Sequence, residues 1–251
     1  MKKVSAKKHF GQHFLNKPSI AKSIVNQLEF KNTDLLEIGP GMGVLTQFLH
    51  NKNINLKVIE IDVESIFYLR LHYPKLDIIE GDFLKINLEE VTKNKLSLIG
   101  NFPYNISSQI LFKVFENRDK ITEVVGMFQK EVAERIVSTK GKKKGVLSIF
   151  LQAFYDIDYC FSVNEEVFTP PPKVKSGVIK LIRNQRKELE CDEQKFIQLV
   201  KAGYNQRRKT LKNALKSFSL GINPEIEELF KKRAEELDVE DFITLTKNVQ
   251  K

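Results

Sequence analysis

Short apolar runs rich in β-branched residues alternate with longer amphipathic segments over the first two thirds of this 251-residue chain. "DLLEIG" (34–39), "LKVIEI" (56–61), "LDIIEG" (76–81), "LSLIGN" (96–101) and "ITEVVGMFQ" (121–129) are each separated by enough chain for a crossover helix. That rhythm predicts an α/β fold: a Rossmann-like, doubly wound, mostly parallel sheet with helices on both faces. Further on, "LSIFLQAFYDIDYCFSV" (147–163) and "SGVIKLI" (176–182) are joined by "FTPPPKVK" with no helix between them. They predict an antiparallel pair at one edge of the sheet. The proline run is read as a stiff extended loop, because proline cannot donate to a β-ladder.

The texture changes after about residue 184. Apolar residues fall at helical spacing (Phe196, Leu199, Val200; Leu211, Leu215, Phe218), and "NPEIEELFKKRAEEL" opens with an asparagine cap and a proline at the first helical position. Two domains are expected: residues 1–184, an α/β domain preceded by a basic arm, and residues 185–251, a small all-helical domain. The arm carries "FGQHFL" and is expected to pack over the carboxyl edge of the sheet before a helix at about 18–28. No internal repeat or low-complexity tract interrupts this order.

Charge adds a partner. The 41 Lys plus Arg against 32 Asp plus Glu leave a net charge of +9, and the excess is uneven. Residues 1–22 carry Lys2, Lys3, Lys7, Lys8, Lys17 and Lys22 without an acid; "KGKKKG" carries Lys140, Lys142, Lys143 and Lys144; residues 194–224 carry seven more bases and no acid. Such stretches suit a polyanion. Cys160 and Cys191 stand far apart and outside any metal-binding spacing, and His9 and His13 lack a third ligand, so neither a disulfide nor a metal is expected. No run approaches the ~20 apolar residues of a membrane span, and no apolar stretch follows the basic start. A cytoplasmic protein with no membrane partner is expected.

"EIGPGMGVLT" (37–46) places Gly39, Gly41 and Gly43 at the turn from first strand to first helix. Glycine permits the tight bend and the close approach of a ligand, and the turn lies at the topological switch of such a sheet. Twenty-one residues after Gly39, Glu60 ends the second strand, where a carboxylate can accept from both hydroxyls of a ribose. Asp62 is a weaker candidate for the same task. The G-x-G-x-G spacing favours S-adenosylmethionine (AdoMet) over a dinucleotide, since AdoMet has no pyrophosphate to seat. Asp82, in "EGDFL", closes the third strand, where an adenine amino group could be read.

"NFPYNISS" (101–108) closes the fourth strand and therefore faces the same pocket. An exocyclic adenine amine is a poor nucleophile because its lone pair is delocalised into the ring. Acceptors on its hydrogens improve its attack. The Asn101 side-chain oxygen and the Phe102 carbonyl, turned outward by Pro103, are candidate acceptors, and Tyr104 is placed to stack on the base. A base in such a pocket has left its own stack, so the substrate would be a single-stranded loop or a flipped nucleotide.

Taken in order, "GQHFL", "EIGPGMG", "VIEID", "GDFL", "NFPYNISS", "FTPPPKVKSGV" and "NQRRKTLKN" resemble the ribosomal RNA adenine N6,N6-dimethyltransferases, from about residue 7 to beyond 215. The resemblance is closest to the small-subunit branch. It implies dimethylation of two adjacent adenines in a hairpin loop near the 3′ end of 16S rRNA during subunit assembly, by a class I AdoMet-dependent methyltransferase expected to be a monomer. It implies AdoMet contacts by His13, Leu15, Gly39, Glu60, Asp82 and Asn101, with Gly41 in the same turn, and a base held between Tyr104 and Phe168. It also implies RNA contacts from a basic helix carrying Arg207, Arg208, Lys209 and Lys212. Two positions depart from the family pattern: His13 where Asn is usual and Phe102 where Leu is usual. The alternatives are the 23S rRNA branch, with the same chemistry on another loop, an NAD-dependent oxidoreductase, and an RNA-binding assembly factor without chemistry.

Overall fold

The computed structural model describes residues 4–31 and 34–250; Lys2 and Lys3 of the basic arm lie outside them. In chain order the elements are β1 (Phe14–Leu15), α1 (Pro18–Val25), β2 (Asp34–Ile38), α2 (Thr46–Leu49), β3 (Asn55–Glu60), α3 (Val63–His72), β4 (Asp77–Glu80) and α4 (Leu88–Val91). Then follow β5 (Leu96–Asn101), α5 (Ser107–Glu116), β6 (Ile121–Gln129), α6 (Lys130–Val137), α7 (Val146–Gln152), β7 (Tyr155–Val163), β8 (Phe168–Thr169) and β9 (Ser176–Arg183). The chain ends in α8 (Glu193–Asn205), α9 (Leu211–Ala214), α10 (Pro224–Lys231) and α11 (Val239–Lys247).

Seven strands form one sheet in the order β4-β3-β2-β5-β6-β9-β7. The first five are parallel, and β9 runs antiparallel to β6. β2 is buried at all five positions, as a strand covered on both faces must be. Leu35, Ile99 and Val125 face a cluster that includes Ala21, Ile24 and Leu49 from α1 and α2, together with Leu15 and Phe168 from the small β1–β8 ribbon. The sheet's order reverses between β2 and β5, so their loops diverge and open a crevice at the carboxyl ends.

The segment 147–163 differs from expectation in its first half. Residues 146–152 form α7, and only Tyr155 onward is strand. Leu147, Ile149, Phe150 and Leu151 are all buried, and a helix buried all round has the same unbroken apolar run as a central strand. Gly145, extended, starts the helix and donates its N–H to the Ser148 hydroxyl at 3.1 Å.

The chain groups into two compact units, 1–133 with 157–183, and 134–156 with 184–251. The helical unit therefore takes in α7 as well as the segment after 184. Within it, α7, α8 and α11 pack around Phe150, Phe196 and Phe242. Asn223 caps α10 by accepting from Ile226 N at 3.0 Å with Pro224 at the first position, as the sequence suggested. The lysine-rich loop 140–144 belongs to this unit and is only partly solvated. Lys144 is fully buried and donates to the Leu237 carbonyl, and Lys143 pairs with Glu134 at 2.6 Å.

Candidate cofactor and catalytic site

The carboxyl ends of β2, β3, β4 and β5 bring Gly39, Glu60, Asp82 and Asn101 to the lining of one cavity of about 300 Å³, a size suited to a nucleoside-bearing ligand. Residues 9–15 of the arm form another wall, so His13 and Leu15 line it too. Leu15 is buried and pairs with Phe168 through the β1–β8 ribbon.

Gly41 is in the left-handed region (φ 56°), and a β-carbon there would come within 2.9 Å of the Phe14 ring. Only glycine lets the turn lie this close to the arm. Its N–H donates to Glu60 Oε2 at 3.0 Å, while Glu60 Oε1 accepts from the N–H groups of Ile61 and Asp62, both at 2.9 Å. Glu60 is buried, and burial pushes its carboxyl upward against the opposing pull of those three N–H groups. Oε1 thus already accepts two hydrogens and Oε2 one, so Oε2 keeps a lone pair for a ribose hydroxyl.

Asp62 takes another task. Its carboxylate caps α3 by accepting from Glu64 N at 3.3 Å and Ser65 Oγ at 2.9 Å, and it pairs with Lys7 of the arm. An acid directly before a helix is an N-cap first, and Asp62 does not line the cavity. Asp82 does: its Oδ1 accepts from Leu84 N at 2.9 Å and folds the loop after β4.

Asn101 donates through Nδ2 to the His13 carbonyl at 2.9 Å, which fixes the side-chain amide and leaves Oδ1 uncommitted among the described residues. The His13 ring, through Nδ1, meets the Pro170 carbonyl at 2.8 Å. Its centroid lies 5.5 Å from that of Tyr104. Tyr104 is half-buried, its hydroxyl 2.5 Å from Ser176 Oγ, and burial raises its phenol. That anchor holds the ring at the cavity wall. Phe102, the second departure from the family pattern, is buried beneath Gly100 and Gly126, which are register partners on β5 and β6. A β-carbon at Gly126 would fall 2.3 Å from its ring, so the missing side chains make room for phenylalanine.

Phe168 is not part of the cavity. At 2% exposure it sits in the apolar cluster under the arm with Leu15, Val163 and Val178, so neither ring face is open to a base. Among the lining residues that the sequence did not single out is Glu37, buried at the penultimate position of β2, with Thr46 Oγ1 donating to it at 2.7 Å. Burial pushes its carboxyl up to about 8. Its only signal was an acid set between the apolar Leu36 and Ile38 of a buried strand.

The basic helix resolves into a joint. α8 ends at Asn205, residues 206–209 turn, and Thr210 is extended before α9. Five polar or basic residues in succession, 205–209, offer no apolar side chain to bury, so helix does not continue. Arg207 is committed: it pairs with Glu235 at 3.0 Å and donates to the Lys142 carbonyl at 2.5 Å. Arg208, Lys209 and Lys212 are exposed without a side-chain partner among the described residues.

The family model for "Ribosomal RNA adenine dimethylase" matches residues 3–251. A Cytophaga hutchinsonii protein named ribosomal RNA small subunit methyltransferase A is 57% identical over 98% of both chains. Its namesake from Flavobacterium johnsoniae is 55% identical over 100% of this chain and 98% of its own. Among solved structures, a dimethyladenosine transferase from Plasmodium falciparum is 28% identical, with a TM-score of 0.77 over 93% of this chain and 96% of that one. A 23S rRNA methyltransferase superposes at a TM-score of 0.75 over 95% and 100% but is 20% identical, a likeness of fold alone. Cavity, motif order and full-length identity agree: the chain belongs to the ribosomal RNA adenine dimethylase family.

Proposed function

We propose that this protein dimethylates N6 of two adjacent adenosines in the hairpin loop near the 3′ end of 16S rRNA, acting on the small subunit during its assembly, as a cytoplasmic monomer. The names of the relatives at 55–57% identity favour the small-subunit substrate over the 23S loop. No helix among the described residues is long and apolar enough to cross a membrane.

AdoMet, the methyl donor of this family, fits the cavity. Glu60 is placed to accept from the ribose and Asp82 to meet the adenine, while Gly39 and Gly41 let the backbone approach closely. When bound, AdoMet supplies an electrophilic methyl group. The remaining work is orientation.

The observation that carries the reading is the amide of Asn101, locked by the His13 carbonyl with Oδ1 free. Oδ1 and the Phe102 carbonyl accept the two hydrogens of the adenine amine and draw its lone pair out of the ring's conjugation. Tyr104, braced by Ser176, stacks on the base and keeps the amine in line. Arg208, Lys209 and Lys212 are free to meet phosphates. Arg207 holds the turn that presents them.

Single-turnover methyl transfer by Tyr104→Ala, with AdoMet affinity measured in parallel, tests the reading. We expect affinity near that of the natural protein and a rate lower by about 10²-fold, the cost of losing orientation at a reacting centre. A normal rate would remove Tyr104 from the base site.

A further inference from the structure

Lys113 lies on α5, the helix that issues from the catalytic turn, and its side chain is half-buried. Its ammonium donates to three main-chain carbonyls of one loop: Phe83 at 2.7 Å, Leu84 at 3.1 Å and Ile86 at 2.5 Å. It also sits 5.1 Å from the centroid of the Phe83 ring. An ammonium has three protons, and here each has an acceptor. Burial lowers this lysine, while the charges of Asp82 and Glu116 oppose that shift.

Those carbonyls belong to the loop after β4, whose Asp82, Phe83 and Leu84 line the cavity. At its other end α5 is tied to the catalytic turn. Ser107 Oγ donates to the Tyr104 carbonyl at 3.0 Å, and the Ile106 carbonyl accepts from Ile110 N at 2.9 Å. One side chain therefore links the wall that meets adenine to the wall that meets the methyl group and the target base.

We propose that Lys113 is a positioning residue for methyl transfer, setting the Asp82 loop against the Asn101–Tyr104 turn so that both ends of AdoMet are held at once. This rests on the reading of Asp82 as the adenine contact. Loss of a lysine that served only stability would lower melting temperature without changing the affinity of the folded protein.

The test is methyl transfer and calorimetric AdoMet binding by full-length Lys113→Met, Lys113→Arg, Asp82→Ala and the Lys113→Met/Asp82→Ala double variant, with Lys113→Gln in place of Met should the latter not fold. We expect Lys113→Met to raise KM and Kd for AdoMet about five- to tenfold with kcat at saturation within about twofold, and Lys113→Arg to recover most of the affinity. The double variant should bind no more weakly than Asp82→Ala alone, because residues acting through one contact are not additive. Unchanged affinity in a folded Lys113→Met, or additive losses in the double variant, would overturn the proposal. Normal affinity in Asp82→Ala would instead remove the adenine contact on which it rests, and the proposal with it.

Discussion

The side-chain amide of Asn101 and the main-chain carbonyl of His13 lie 2.9 Å apart, joining the end of β5 to the N-terminal arm 88 residues away. A carbonyl can only accept, so the amide must point its Nδ2 there and its Oδ1 the other way. In the proposed function, the arm would thereby orient the acceptor for the adenine amine through main chain. The His13 side chain is not needed for that bond.

Asn101→Ala should therefore lose turnover by on the order of 10²-fold, the size of losing one preorganised polar partner of a reacting group. AdoMet affinity should fall less. Quench-flow methyl transfer alongside calorimetry separates the two, and a loss confined to affinity would assign Asn101 to the cofactor alone.

Glu60→Ala should weaken AdoMet binding by about tenfold or more, because a buried ribose diol loses its acceptor. The Gly41, Ile61 and Asp62 N–H groups lose theirs as well, so a fall in stability should accompany it. Glu60→Gln keeps the shape and should recover part of both. Calorimetry and thermal melting read the two effects, and unchanged affinity would take Glu60 out of the site.

Glu37 predicts a pH dependence of stability. Its carboxyl is pushed up to about 8 in the folded protein against an ordinary 4.5, so between those values the folded state keeps a proton that the unfolded chain has released. Stability from this group then falls as pH rises through that window, and the loss is complete above about 8. Glu37→Gln can still accept from Thr46 and has nothing to titrate. Urea unfolding of the cofactor-free protein should show a flatter profile for the variant, which should be the more stable of the two at pH 9. Parallel profiles would contradict the assignment.

Arg208 and Lys209 should account for more of the RNA's electrostatic hold than Arg207, which already satisfies Glu235 and the Lys142 carbonyl. Reversing charge at Arg208 and Lys209 should reduce the log–log salt slope of subunit binding by about one to two, near one for each phosphate no longer neutralised. Arg207→Ala should chiefly loosen the 206–210 turn. An unaltered slope in the first variant would place the RNA elsewhere.

The strands and the cavity were legible because parallel strands are apolar and their ends are punctuated. Gly39, Glu60, Asp82 and Asn101 each close an apolar run, and chain order alone puts such closures at one sheet edge. Residues 147–152 were not legible as helix, since a fully buried helix and a central strand share an unbroken apolar run. The role of Asp62 turned on a cap that only its φ and ψ reveal, and the burial of Phe168 on a long-range pairing with Leu15. Glu37 was hidden in its strand because its hydrogen-bond partner, Thr46, lies nine residues on in the next helix.

The most direct measurement is methyl transfer from labelled AdoMet to purified small subunits that lack adenine dimethylation, with large subunits in parallel and the product located by mass spectrometry of RNA fragments. We expect N6,N6-dimethyladenosine at two adjacent positions in the 3′-terminal hairpin of 16S rRNA and none in the large subunit. Label in 23S rRNA, or AdoMet bound without transfer to either, would contradict it.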